Sequence, residues 1–82
     1  MKVLFKKIKY GDDKDNILAV CIEYVFGDYY KILDLTKVTM FRDKEYLQRQ
    51  TCNATPKEYL SLLTKLKKEY KEIEIVNSLK IK

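Results

Sequence analysis

Histidine is absent from all 82 residues. Imidazole is the side chain that titrates near neutral pH and the commonest metal ligand, so its absence excludes the Cys–His and Ser–His forms of nucleophilic catalysis. Cysteine is nearly absent too. Cys21 and Cys52 stand far apart, with none of the paired spacing that zinc sites use. Two glycines and one proline leave no material for a flexible linker or a glycine-rich phosphate loop. Of the 17 basic residues only Arg42 and Arg49 are arginine, and arginine is the residue that bidentate phosphate and base recognition favours. The longest apolar run, residues 17–22, is far too short to cross a bilayer. Residues 1–10 interleave lysine with apolar groups and lack the apolar core of an export signal. The expectation is therefore no cofactor, no metal, no membrane partner and a cytoplasmic protein with reduced thiols. The Asn53-Ala54-Thr55 sequon is accidental in that setting.

What is present describes a folded chain. Hydrophobic residues make up 46%, enough for a thin core, and the length suits one domain over residues 1–82. The net charge is +5. A lysine-, isoleucine- and tyrosine-rich composition that is poor in glycine also follows from an AT-rich coding sequence, so the charge alone does not imply a nucleic-acid partner.

Patterning gives the elements. Residues 2–10 alternate and read as a strand, with lysines suited to a sheet edge. Residues 17–26 are the most apolar stretch and read as a central strand buried on much of both sides. Strict alternation puts Val20, Ile22, Tyr24 and Phe26 on one face and Ala19, Cys21, Glu23 and Val25 on the other. Gly27-Asp28 splits this run from residues 29–35, which predicts a tight hairpin. Residues 36–41 extend the third strand or begin a fourth. Residues 42–54 read as a short helical turn capped by Asp43 or as an exposed loop. Thr55-Pro56-Lys57-Glu58 is a capping box with proline at the first helical position, so a helix is predicted over 56–71. Its apolar stripe is Tyr59, Leu62, Leu63, Leu66 and Tyr70. A last strand follows, with Ile73, Ile75, Leu79 and Ile81 inward and Asn77 marking a bulge or exit. The fold class is α+β: an antiparallel sheet of four or five strands with one amphipathic helix on a face, in the order β-β-β(-β)-α-β.

Candidate chemistry is sparse. Cys21 lies in the most apolar strand and reads as structural. Cys52 lies in a polar stretch and reads as an exposed thiol without a base. Glu23 and Asp34 fall in the inner halves of the hairpin strands and could meet as a carboxylate pair. Asp12, Asp13 and Asp15 share one turn but lack the glycine and terminal glutamate of an EF-hand. No enzymatic activity is expected.

The seven tyrosines carry more information. Adjacent strand residues point to opposite faces, so Tyr29 and Tyr30 cannot both enter the core. A partner-binding surface is expected at the hairpin tip, the 42–54 segment or an open sheet edge, with Tyr29, Tyr30, Arg42, Lys44, Tyr46 and Arg49 as its residues. An open edge would also let a second copy pair into a homodimer. The alternative is a nonspecific nucleic-acid binder using Lys57, Lys65, Lys68 and Lys71 on the outer face of the helix, with tyrosines that stack on bases. Scarce arginine, twelve acidic residues and the lack of an RRM or KH signature count against it. In size and composition over its whole length, the chain resembles the accessory proteins of bacteriophages and mobile elements, including anti-CRISPR inhibitors of host defence. That resemblance implies a small non-enzymatic inhibitor that binds a host machine in the host cytoplasm. It rests on no motif, and no binding residue carries over from it.

Overall fold

Antiparallel strands dominate the computed structural model, which describes residues 1–34 and 40–77. The elements run β1 (Lys2–Ile8), β2 (Ile17–Phe26), β3 (Tyr29–Leu33), β4 (Met40–Asp43), α1 (Lys44–Arg49), β5 (Thr51–Asn53), α2 (Pro56–Glu69) and β6 (Glu74–Ile75). The sheet order is β4-β3-β2-β1-β5, and β6 lies parallel to β1 beside Lys2 and Val3. The fold is α+β, a curled, mainly antiparallel sheet with one main helix packed on it.

β2 is central, and its residues 17–22 feed both layers of the core as the apolar run predicts, whereas residues 23–26 are exposed. On one face Leu4, Ile8, Leu18, Val20, Ile22 and Ile32 pack with Leu47 of α1. On the other, Val3, Phe5 and Ala19 pack against Leu62, Leu63 and Leu66 of α2. Burying each such leucine stabilises by about 2 kcal/mol relative to exposing it. The Phe5 and Tyr59 rings stack at 4.3 Å and extend that second layer. The capping box forms: Thr55 Oγ1 accepts from the Glu58 backbone N–H at 3.3 Å, and Glu58 Oε1 accepts from the Thr55 N–H at 2.9 Å. Glu58 Oε2 also takes Lys7 Nζ at 2.5 Å, tying the start of α2 to β1.

Four expectations change. β1 lies inside the sheet rather than at an edge, because its lysines find partners there: Lys7 reaches Glu58, and Lys6 donates to Asn53 Oδ1 at 3.0 Å. Residues 42–54 resolve into both a helix and a strand. Asp43 Oδ1 accepts from the Tyr46 N–H at 2.8 Å to cap α1, and β5 then pairs with β1. α2 stops at Glu69 because Tyr70 takes extended backbone angles as the chain turns toward β6. In β6 alternation fails: Ile75 is exposed, whereas Ile73 and Val76 pack on the two core layers. Leu79 and Ile81 lie outside the described residues, as do residues 35–39.

Candidate functional site

The most consequential local feature is an irregularity in β2. Cys21 lies opposite Lys31 of β3, but the next paired residue is Val25, opposite Tyr30. Ile22, Glu23 and Tyr24 have no opposite number on β3. Inserting three residues, an odd number, exchanges the faces that follow, since side chains alternate with period two. Glu23 lies within the irregular stretch. Its Oε1 accepts the Lys2 backbone N–H at 2.9 Å, so a side chain stands where the β1–β2 ladder would continue.

The exchange moves Phe26 to the α2 side of the sheet, correcting the face that strict alternation assigned it. Phe26 pairs with Tyr29, and Phe41 pairs with Lys31. Tyr29, Lys31 and Leu33 share a face, and Leu33 packs against the α2 layer. Lys31 Nζ lies 5.4 Å from the centre of the Tyr24 ring, so Tyr24 joins the same surface. Beyond the footprint of α2, that face is left open. Phe26 is 80% exposed, Tyr24 55%, Tyr29 50% and Phe41 47%. Phe26, Tyr29 and Phe41 line a shallow cup of about 500 Å³ with almost no polar wall. Gly27 makes the adjoining turn possible. Its φ is +62° while Asp28 keeps a negative φ, the sign pattern of a type II′ hairpin.

The residues expected to bind a partner divide between two faces. Tyr29 lies in the aromatic patch. Tyr30 points the other way, half-buried against the α1 layer, so the two tyrosines do separate. Arg42 lies on Tyr30's side at the open end of the sheet. Its guanidinium sits 5.2 Å from the Tyr46 ring centre and donates to the Phe41 carbonyl at 3.2 Å. Tyr46 is half-buried on the core, Lys44 is exposed, and Arg49 pairs with Glu45 at 3.0 Å within α1. Phe26, Phe41, Tyr24 and Lys31 were missed. A signal for the first was present, in the aromatics that crowd Gly27-Asp28 on both sides.

The lysines of the alternative reading do not join the aromatics. Lys57 and Lys68 are eleven residues apart on α2, about 16 Å along its axis. Lys68 and Lys71 are exposed beside Glu69 and Glu72, while Lys65 is half-buried in a groove with Asp34, Leu33 and Tyr70. A concavity of about 690 Å³ mixes Lys2, Lys67 and Lys71 with Glu23, Glu72 and Glu74, so its charges offset one another.

The candidate chemical groups stay separate. Leu33 lies opposite Ala19, so Asp34 and Glu23 belong to opposite ends of β2 and form no pair. Burial pushes the Cys21 thiol up. Cys52 is half-buried in β5 opposite Lys7, not in a loop. Among the described residues no three Cys, Asp or Glu side chains gather as a metal site, and no helix is long and apolar enough to cross a membrane. Comparison with protein-family models, curated proteins and solved structures finds no match.

Proposed function

We propose that the chain is a non-enzymatic protein-binding module whose docking surface is the aromatic patch of Tyr24, Phe26, Tyr29 and Phe41. The supporting observation is their shared exposure on one sheet face. At about 200 Å² per aromatic side chain, their exposed fractions amount to roughly 450 Å². Patches of about 300–600 Å² are the largest that monomeric proteins usually show, and they are often functional. Aromatic side chains are also the groups most enriched at binding hot spots. On this reading the module acts by occupancy, blocking or recruiting a larger protein, as a phage or mobile-element inhibitor does to a host machine.

The nucleic-acid reading fits less well. Single-strand binders interleave aromatics with basic groups along one groove. Among the described residues Lys31 is the one basic residue of the patch, and the helix lysines stand apart among glutamates.

Capture of partners from a host lysate tests the proposal, using wild type beside a Phe26→Ser, Phe41→Ser variant. The expected result is a protein retained by wild type and lost with the variant. A partner retained equally by both would overturn it. So would retention of single-stranded oligonucleotide alone, with affinity falling steeply as salt rises.

A further inference from the structure

β4 ends the sheet: among the described residues no strand lies on its outer side. This open edge borders the aromatic cup, because Phe41 belongs to both. Two candidate occupants can be weighed by size and charge. A second copy stacked patch on patch would bury about 900 Å² of aromatic surface in total, below the roughly 1,200 Å² of stable interfaces. Two copies paired edge to edge would bring Arg42 toward its counterpart, and each copy carries +5. Like charges across a strand pair are destabilising.

A different occupant meets both limits. We propose that β4 accepts an extended segment of a partner protein as an added strand, with apolar residues alternating with acidic ones. The inference rests on the protein-binding reading and names the partner's chemistry. Main-chain hydrogen bonds to β4 add affinity that the patch alone lacks, and alternate side chains divide between the two faces. Apolar side chains enter the cup of Phe26, Tyr29 and Phe41. Acidic ones face Arg42, which has no carboxylate partner among the described residues and is exposed. Its guanidinium now rests on the Phe41 carbonyl and the Tyr46 ring, and it can turn to a carboxylate without breaking a buried contact.

Selection of a displayed library of random peptides against the full chain tests this. The expected winners alternate apolar residues with Asp or Glu. Arg42→Glu and Phe41→Ser each weaken the winning peptide by about tenfold or more. Hydrogen exchange at the Met40–Asp43 amides slows in the complex. Winners that are sensitive to Phe26→Ser but leave β4 exchange and the Arg42→Glu affinity unchanged would overturn strand addition while leaving the patch as a docking surface. Enrichment of no peptide would also overturn it. Loss of the lysate partner's dependence on Phe26 and Phe41 would instead remove the underlying reading.

Discussion

Two single residues carry conformations or charges that the fold must tolerate, and each makes a prediction. Gly27 holds φ +62° with open space where a Cβ would stand. Gly27→Ala therefore meets backbone strain rather than a clash, and the expected cost is about 1 kcal/mol in urea unfolding. A neutral result would mean that the turn relaxes to another type. Lys6 is only 9% exposed, and burial lowers its ammonium pKa below the ordinary 10.5. The protonated form is thus disfavoured on folding. That cost applies at neutral pH, fades as pH rises through the lowered value, and is gone above 10.5. Lys6→Met keeps the stem and removes the charge, so its stability at pH 7 should equal wild type or exceed it by up to about 1 kcal/mol. A clear loss would show that the Asn53 bond outweighs desolvation. At this scale the sequence was only partly legible. The separation of Tyr29 from Tyr30 followed from strand geometry, but a lysine inside the sheet did not, because its partner Asn53 lies 47 residues away.

Elements were legible where local chemistry decides them. The start of α2 is written in Thr55, Pro56 and Glu58, and all three act as the spacing predicts. Thr55→Ala should cost about 1 kcal/mol by thermal or urea unfolding. Glu58 adds a pH signature. Lys7 first, then the Thr55 backbone bond, hold its carboxyl down to about 2 from 4.5. A depressed carboxylate contributes stability that is fully present above about 4.5 and is lost as pH falls toward 2. Melting curves of wild type and Glu58→Gln should therefore differ at pH 5 and converge near pH 2. Curves that stay parallel throughout would contradict the Lys7 pairing. β5 was not legible, since three residues carry no readable period. The face exchange in β2 escaped for a deeper reason. Alternation assumes an unbroken ladder, and the ladder with β3 breaks between Cys21 and Val25, where Glu23 instead accepts from the Lys2 N–H 21 residues earlier.

At the scale of the molecule, the helix covers one part of a sheet face and the hairpin carries the rest beyond it. That mismatch, together with the odd insertion in β2, gathers aromatics from β2, β3 and β4 onto one open surface. The sequence pointed to the α+β class and to a chain rich in tyrosine, and the proposed docking surface is built from such aromatics. It could not locate that surface, because Phe26 and Phe41 meet only through the strand pairing. The most direct test is calorimetric titration of the captured partner into two variants of equal melting temperature. One is Phe26→Ser with Phe41→Ser; the other is Lys67→Ser with Lys68→Ser on the outer face of α2. The patch variant should lose about a hundredfold or more in affinity, as removal of two buried aromatic anchors implies. The helix variant should stay within about twofold of wild type at physiological salt. The reverse ranking would place the binding surface on the lysines of α2 and contradict the account.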